Sequence, residues 1–344
     1  MMRHLSWSLL PVVVLLWLTG CQPATDVSPS SEHSQRVTTT LWGAPLQIEA
    51  QASDPQRLAD TLQTAIDDLH YVVEMSHPWQ PGPLARTNQL LALSGEFSAV
   101  PSGLLMLQQA MVLSRQTEGY YNPALGGLIQ AWGLQQDTLD FAEPQSPEVF
   151  ERLLQARPNL EDIQVEGIRM STRNPQVRLD YGPFALGYAL DTARQRLRGG
   201  GLERALLQGR NAVLLLGSTE ATVSTAHYPE LSLQLQPDEA LYSVAIHDHH
   251  YHHEGQLIHP FVHPEDGQPV RGIASLAVLH PSSAATAAAQ AQALLIAGED
   301  QLATLAERIQ VSHYLWRDEE GRLYASAAMR QRLKPLDVLS PSVD

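Results

Sequence analysis

The sequence predicts a mixed α and β domain, because segments with helical and strand periodicity alternate along most of its 344 residues. Two observations support this class. Apolar stripes recur at helical spacing, and short aliphatic runs are bounded by glycine or polar residues. We find no internal repeat. After a polar N-terminal stretch, roughly 300 residues remain, which is enough for one large domain or two closely packed lobes.

The first predicted helix begins at Asp54 and runs through DPQRLADTLQTAIDDLHYVVE. Asp54 is a typical N-cap residue, and the proline after it suits the first helical position. The apolar stripe that should face the core consists of Leu58, Leu62, Ile66, Leu69 and Val73. A second helix is predicted in PSGLLMLQQAMVLSRQTEG, where Gly119 should stop it.

The C-terminal half predicts two more helices and three strands. FALGYALDTARQRLRGGG is typical of a helix that ends in glycines. RNAVLLLGS predicts a fully buried strand, whereas LYSVAIHD alternates and predicts a strand with one buried face. The strand-like IASLAVLH precedes PSSAATAAAQAQALLIAG, an alanine-rich helix that should end at Gly298 and pack closely against a sheet or another backbone.

The N-terminus predicts a lipidated secretory protein. Arg3 and His4 precede an apolar run that is too short to span a membrane, so residues 1–20 are interpreted as a signal peptide. The sequence LTGC, which ends at Cys21, resembles the bacterial lipobox, where the cysteine is acylated and becomes the first mature residue. Cys21 is the only cysteine, so the chain offers no intramolecular disulfide.

Composition sets the predicted domain boundaries. Residues 21–36 are predicted to contain the lipidated, palmitate-bearing cysteine and a flexible polar tether. Residues 37–344 are predicted to form the folded domain. Gln22 favours the outer membrane, so we expect a bacterial periplasmic protein that reaches the membrane through its lipid anchor. The formal net charge of -15 argues against nucleic acid as a partner and against direct adhesion to anionic lipid.

Residues 246–263, IHDHHYHHEGQLIHPFVH, hold seven of the 14 histidines. Three interpretations stay open: a metal site, a source of a catalytic proton acceptor, or a solvated loop that tolerates histidine. The residues spaced closely enough to chelate Zn²⁺, Ni²⁺ or Cu²⁺ are His247, His249 and His253, or His250 and His252.

Three stretches together resemble the ApbE family of FAD:protein FMN transferases. TEGYYNPALGGLIQAWGL resembles the family segment of Thr or Ser, x, Gly, aromatic, Asp, Pro and a later Trp-Gly-Phe. LDYGPFALGYALD resembles Leu-Asp-Leu-Gly-Gly-Ile-Ala-Lys-Gly-Tyr-Ala-Val-Asp. HPEDGQPVRGIASLAVLHPSSAATAAAQAQALLIAG is similar to a Pro-x-x-Gly-x-Pro turn followed by a strand and a helix. The order and spacing agree from about Thr38 to the end of the chain.

The resemblance implies an α+β fold that is ApbE-like and T-fold-like, with mixed sheets, packed helices and an FAD cleft between lobes. It also implies transfer of FMN from FAD to a Thr or Ser hydroxyl of an acceptor flavoprotein, with release of AMP. Such a reaction needs positive charge beside the pyrophosphate, a proton acceptor near the hydroxyl and a pocket for the ring systems.

The family pattern places the FAD-binding residues of this chain at Tyr120, Tyr121, Asn122 and Asp180. One cleft lined by Tyr121, Asp180 and His263 is expected from this alignment. Leu186 replaces the family's lysine, and Arg210 stands within the family's Gly-Gly-Asp or Gly-Gly-Asn segment, where it could supply charge to a phosphate.

The alignment places the two magnesium-binding positions of the family at Ala288 and Gln292, which makes Mg²⁺ doubtful as a cofactor. The family's proposed catalytic histidine corresponds to Pro260. His259 and His263 are therefore the candidate catalytic bases.

Three functions follow from these observations. The first is an FAD:protein FMN transferase with a rearranged site. The second is a non-catalytic periplasmic lipoprotein that binds flavin or a partner. The third is a transition-metal binder built on the histidine-rich stretch.

Overall fold

The fold is built around a large antiparallel sheet in the computed structural model, which describes residues 33 to 340. In chain order, the strands are β1 (His33–Leu41), β2 (Ala44–Ala52), β3 (Phe97–Ser98), β4 (Ile163–Glu166), β5 (Arg169–Thr172), β6 (Arg204–Gly209), β7 (Ala212–Leu216), β8 (Ala221–Thr225), β9 (Tyr228–Leu235), β10 (Ala240–Ala245), β11 (Tyr251–His253), β12 (Gln256–Ile258), β13 (Ile273–His280), β14 (Tyr314–Asp318), β15 (Leu323–Ala325) and β16 (Leu333–Lys334).

The helices fill the connections between these strands. In chain order they are α1 (Pro55–Ser76), α2 (Pro83–Ala92), α3 (Pro101–Gln116), α4 (Gly126–Ala131), α5 (Pro147–Ala156), α6 (Pro183–Gly199), α7 (Ala284–Ala297), α8 (Glu299–Arg308) and α9 (Ala327–Arg330), with a short 3-10 helix at Leu160–Asp162. The mixture of helices with antiparallel sheets confirms the predicted α+β class.

The central sheet has eight strands in the order β1-β2-β6-β7-β10-β13-β14-β15. Helices α1, α6 and α7 pack into one continuous core with it. A second core joins it to a three-stranded sheet of order β16-β9-β8. The strands in the middle are therefore covered on both faces. The prediction of a half-exposed strand at LYSVAIHD is wrong for this reason, because every residue of β10 is buried.

Close helix packing confirms the prediction for the alanine-rich segment. A Cβ atom on Gly187 of α6 would lie 2.5 Å from the main-chain oxygen of Ala284, so only glycine permits this approach. Asp191, one turn later, accepts hydrogen bonds from the backbone nitrogens of Ala284 (2.9 Å) and Ala285 (3.0 Å). The family-like aspartate at this position therefore joins α6 to the N-terminus of α7, which is a structural role.

The predicted helix boundaries are confirmed at the start of α1 and at the glycine-marked ends of α6 and α7, but not at the end of α3. Asp54 caps α1 by accepting hydrogen bonds from the backbone nitrogens of Gln56 and Arg57, as predicted. Helix α3 ends at Gln116, three residues before Gly119. The Thr117 hydroxyl there donates to the main-chain oxygen of Leu113 at 2.8 Å, and this contact helps to close the last turn.

The histidine-rich stretch forms a β-hairpin. Strands β11 and β12 pair between Tyr251 and Ile258, and a two-residue turn at Glu254 and Gly255 connects them. Both turn residues have positive φ angles, 49° and 79°, as a type I′ turn requires. The hydroxyl of Tyr251 donates to the main-chain oxygen of Trp132 at 2.5 Å, which fastens the hairpin to the chain just after α4.

The predicted tether boundary needs a correction. Strand β1 begins at His33 and pairs with β2 along its whole length, so residues 33–36 belong to the sheet. The polar composition of these residues suits β1 because it lies at the edge of the sheet and is mostly exposed. The predicted signal peptide and Cys21 lie outside the described residues. Among the described helices, none is both long and apolar enough to cross a bilayer.

Candidate functional site

Three of the predicted site residues line one cavity of about 460 Å³. Tyr120 and Asn122 lie in the loop after α3, and His263 lies in the loop after β12. The rings of Tyr120 and His263 meet edge to face, with 6.2 Å between their centroids. We call this space the Tyr120 cavity. It is large enough to hold much of a small-molecule ligand.

Among the residues that line the Tyr120 cavity, the guanidinium is that of Arg157, which follows α5, and the carboxylates are those of Glu118 and Glu265. The guanidinium of Arg157 makes no hydrogen bond or ion pair with any described residue. The carboxylate of Glu118 accepts three hydrogen bonds from Arg308, the shortest of 2.8 Å. Because Arg308 balances Glu118, Arg157 remains available to an anionic ligand such as a phosphate.

Asn122 shapes the cavity without offering its own side chain to a ligand. Its Oδ1 accepts a hydrogen bond from the backbone nitrogen of Ala124 at 3.1 Å, and its Nδ2 donates to the main-chain oxygen of Pro158 at 3.0 Å. These bonds hold the loop of Tyr120 against the loop of Arg157. Both polar atoms of the Asn122 amide are therefore already bonded within the protein. The prediction that this side chain contacts FAD is corrected to a structural role.

Tyr121 does not line the Tyr120 cavity. Its ring is fully buried and packs against Phe184 at 5.8 Å between centroids, and its hydroxyl has no partner among the described residues. Burial raises the pKa of this phenol well above its usual value. Tyr120 and Tyr121 lie in a bend after α3, where Tyr120 faces the cavity and Tyr121 faces the core.

Asp180 also lies outside the Tyr120 cavity. Its carboxylate accepts hydrogen bonds from Nε2 of Gln135 at 2.8 Å and from the backbone nitrogen of Gly182 at 3.0 Å. Desolvation raises the pKa of Asp180, although both hydrogen bonds and the nearby His249 and His77 oppose that rise. The expected single cleft of Tyr121, Asp180 and His263 is therefore wrong, and the site residues divide into two groups.

His259 is not placed to act as a base. The side chain is 1% exposed, and its Nε2 donates to the main-chain oxygen of Val270 at 2.9 Å. Its Nδ1 accepts a hydrogen bond from the backbone nitrogen of Phe261 at 3.3 Å. Burial lowers the pKa of His259 to about 4. The ring is thus a neutral, fully bonded part of the core, and this candidate base is corrected.

His263 reaches the cavity, but as a hydrogen-bond donor. Its Nδ1 accepts a hydrogen bond from the backbone nitrogen of Glu265 at 3.3 Å, so the neutral ring carries its hydrogen on Nε2. Nε2 has no partner among the described residues. In this form His263 suits a phosphate or carbonyl oxygen better than it suits a proton that must be removed.

A second group of side chains surrounds Trp79, and no sequence motif indicates that they lie together. The Trp79 indole donates to Asp137 at 2.9 Å and meets the His77 ring edge to face at 4.4 Å between centroids. The rings of Trp79 and His249 are nearly parallel, at 15° and 6.4 Å between centroids. We call His77, Trp79, Asp137, Asp180 and His249 the Trp79 cluster. Burial lowers the pKa of His77, although the charges of Asp137 and Asp180 oppose that change.

The loop that holds His249 is anchored by a buried polar network. His227 contacts Asp248 through Nε2 at 3.0 Å and Ser243 through Nδ1 at 2.8 Å. Asn211 donates to Asp248 at 2.6 Å, and Arg210 lies 3.2 Å from the same carboxylate. Arg210 is therefore already paired, which corrects its expected role at a phosphate.

The arrangement of Ser243, His227 and Asp248 is similar to a hydrolase triad in composition only. Ser243 is fully buried, and its hydroxyl donates to the main-chain oxygen of Asn211 at 3.0 Å. Because a substrate cannot reach this oxygen, the three residues form a structural network that holds the loop.

Comparison with known proteins agrees with this fold. The model of the ApbE family matches residues 38–315. The chain belongs to the ApbE family. An FAD:protein FMN transferase of Rhodobacter capsulatus is 30% identical over 92% of this chain. This chain spans 60% of that relative's length. An FAD:protein FMN transferase of Vibrio cholerae is 25% identical over 94% of this chain and 98% of its own.

Solved ApbE structures share the fold. The ApbE protein of Thermotoga maritima superimposes with a TM-score of 0.75 at 19% identity and covers 87% of this chain and 99% of its own. The flavin transferase ApbE of Vibrio cholerae gives a TM-score of 0.68 at 20% identity, with 88% and 99% covered. The fold prediction is therefore confirmed.

The family's magnesium positions do not fit a magnesium ion in this ApbE protein. Ala288 is fully buried and offers no side-chain oxygen. Gln292 offers one neutral oxygen, Oε1, which is buried, has no partner among the described residues and points toward Gly182. A hard divalent cation needs several oxygen ligands and usually a carboxylate. We therefore derive no step through a metal.

The histidine-rich hairpin does not provide a ready transition-metal site either. The rings of His247, His250 and His252 touch edge to face, with 5.2 and 5.9 Å between successive centroids. Within residues 33–340, however, no group of three or more His, Cys, Asp or Glu side chains is arranged to hold a metal ion. The prediction of a histidine-built metal site is corrected accordingly, because the rings pack against one another and do not converge on one point.

Proposed function

We propose that this protein is an FAD:protein FMN transferase, which moves FMN from FAD to a hydroxyl group of an acceptor flavoprotein and releases AMP. The single observation that supports this proposal most strongly is its 30% identity to a relative of that name over 92% of this chain. The described residues contribute an aromatic cavity, which suits a flavin nucleotide, and a polar cluster around Trp79, which suits a proton transfer.

The Tyr120 cavity is the proposed place for the FAD substrate. The face of Tyr120 offers a surface for a planar ring, and Arg157 offers the charge that a phosphate needs. Nε2 of His263 adds a hydrogen-bond donor at the same place. These residues would bind and orient the dinucleotide, and Arg157 would balance part of the pyrophosphate charge in the absence of magnesium ligands.

A covalent transfer assay tests the proposal. The purified full chain would be incubated with FAD and with membranes from cells whose gene for this protein has been deleted. We expect a protein band with covalent flavin fluorescence, together with release of AMP in equal amount. If neither appears, although the chain binds FAD, the transferase proposal is refuted.

A second function is favoured by one observation, the alanine at position 288. Because Ala288 removes a metal-binding carboxylate position, the protein could bind flavin without transferring it. In the same assay, this alternative predicts saturable FAD binding that leaves AMP release at the background level.

We further propose that the chain is a periplasmic lipoprotein attached to the outer membrane through Cys21. The lipobox-like sequence before this cysteine supports the proposal. Labelling of cells with radioactive palmitate tests it. The wild-type chain should take up the label and sediment with membranes, and Cys21→Ser should do neither.

A further inference from the structure

We propose that His249 is the catalytic base, the side chain that accepts the proton of the incoming hydroxyl group. This inference rests on the proposed transferase function and assigns a residue for the step that His259 and His263 are poorly placed to perform.

The protonation of His249 follows from one hydrogen bond. Its Nε2 lies 2.8 Å from the main-chain oxygen of Leu134. A carbonyl oxygen can only accept a hydrogen bond, so Nε2 must carry the hydrogen. In the neutral ring, the lone pair then lies on Nδ1, and none of the described residues donates a hydrogen bond to it. Nδ1 is therefore free to accept a proton.

Other histidines near the site have already used the corresponding lone pair. Nδ1 of His77 accepts a hydrogen bond from the backbone nitrogen of Gln80 at 3.2 Å. Nδ1 of His259 and Nδ1 of His263 accept backbone hydrogen bonds in the same way. Of these four rings, only His249 combines a fixed hydrogen on one nitrogen with an unused acceptor on the other.

The surroundings of His249 suit the charged ring that forms after proton transfer. Trp79 lies nearly parallel to the ring and restricts its orientation. Asp180 belongs to the same cluster, and its carboxylate is held in place by Gln135 and by the backbone nitrogen of Gly182. Asp248, the preceding residue, is held by His227 and Asn211, which fixes the start of the loop.

The Trp79 cluster lies next to the Tyr120 cavity along the chain. The backbone nitrogen of Asp180 donates to the main-chain oxygen of Pro123 at 2.8 Å, and Pro123 follows Asn122. The inferred role of His249 requires FAD to extend from the Tyr120 cavity past this contact, with its adenylate phosphate at Arg157 and its FMN phosphate at His249.

The proton of the acceptor hydroxyl passes to Nδ1 of His249 while the hydroxyl oxygen forms a bond to the phosphorus of the FMN portion. The bond from that phosphorus to the bridging oxygen breaks, and AMP leaves with the electron pair. His249 later returns its proton to solvent.

Transfer kinetics of two variants test the role of His249. His249→Gln can still donate an N–H to Leu134 but offers no basic nitrogen, and His249→Ala removes both functions. We expect each to lower the rate of FMN transfer by about 10²–10⁴-fold while FAD binding stays unchanged. Added imidazole should partly restore His249→Ala, and the acidic limb of the wild-type pH profile should be absent in both variants.

His250→Ala is the matched control. Nδ1 of His250 donates to a main-chain oxygen, that of His247, at 3.0 Å, but its ring packs against His247 and His252 and not against Trp79. We expect wild-type transfer from this variant. Wild-type rates and pH profile in His249→Gln would overturn the inference while leaving the transferase proposal intact.

Nitrogen-15 NMR of the wild-type chain separates the two proposals further, because it needs no acceptor protein. We expect the His249 ring at neutral pH to carry its hydrogen on Nε2. A ring that carries its hydrogen on Nδ1 would overturn the inference, even if FMN transfer were observed. Absence of transfer by the wild-type chain would instead refute the proposed function.

Discussion

His249 donates its Nε2 hydrogen to the main-chain oxygen of Leu134 across 2.8 Å, and this contact determines which nitrogen of the ring can accept a proton. Two residues farther along, Tyr251 bonds to the main-chain oxygen of Trp132, so the hairpin and the segment after α4 are fastened at two points. The histidine-rich stretch is thus a positioned part of the site, and one of its histidines faces Trp79 and Asp180.

Arg157→Ala should weaken FAD binding by about tenfold or more, because a charge-assisted hydrogen bond contributes about 1.5–3 kcal/mol. Titration calorimetry would measure the change in the dissociation constant. Arg152→Ala is the control, since Arg152 lies on α5, the helix that precedes Arg157, but does not line the Tyr120 cavity. Equal effects of the two substitutions would contradict the placement of FAD in this cavity.

Removal of divalent cations should leave FAD binding unchanged. Ala288 and Gln292 supply too few oxygen ligands for magnesium, so EDTA has no bound ion to extract from these positions. Flavin fluorescence quenching, recorded with Mg²⁺ and with EDTA, would test this expectation. A large loss of affinity in EDTA would mean that other residues hold a metal.

The stability of the protein should fall between pH 6.5 and pH 4 because of His259. Burial lowers its folded pKa to about 4, below the usual value near 6.5, so the unfolded chain binds the proton first as the pH falls. The loss should be on the order of 3 kcal/mol. Urea unfolding of the wild type and His259→Gln would measure it, and the variant should lack this part of the pH dependence.

His253→Gln serves as the control for His259, because His253 is only half-buried and makes no hydrogen bond through its side chain to the described residues. Its unfolding free energy should follow the wild-type pH dependence. If the unfolding free energy of His259→Gln had the same pH dependence as the wild type, the buried ring of His259 would not control stability between pH 6.5 and pH 4.

Asp248→Asn should remove a separate contribution that is lost at lower pH. Burial would raise the pKa of Asp248, but hydrogen bonds from His227 and Asn211 and the charge of Arg210 outweigh burial and lower it. A lowered folded pKa means that stability is present above the unfolded value and is lost as the pH falls through the folded one. The variant should be less stable at pH 7, with a smaller further loss below pH ~4.

Chemical unfolding at pH 7 and pH 3 would check this prediction, with the exposed Asp140→Asn as control. If Asp248→Asn were as stable as the wild type at pH 7, the network of His227 and Asp248 would not anchor the loop.

Local signals predicted much of the fold. The N-cap and apolar stripe of α1 and the alanine-rich face of α7 are properties of neighbouring residues, and both are found where the sequence places them. The burial of β10 was not predictable from its own alternation, because it depends on helices and on a second sheet that come from distant parts of the chain.

The site was less predictable, because family motifs identify positions and not the directions of side chains. Tyr120 and Tyr121 are adjacent in one motif, yet one faces the cavity and the other the core. His259 lies beside the position of the family's histidine, but Val270 and Phe261 bind both of its nitrogens. The contact of Trp79 with His249 joins distant segments, and no local pattern indicates it.

The central claim is the covalent transfer of FMN, and one measurement tests it most directly: the quantity of protein-bound flavin and of AMP formed from FAD by the purified full chain with membranes of the deletion cells. We expect protein-bound flavin and AMP to appear together in equal amounts. We expect His249→Gln to form both products much more slowly than the wild-type chain. Binding of FAD without either product would contradict the account.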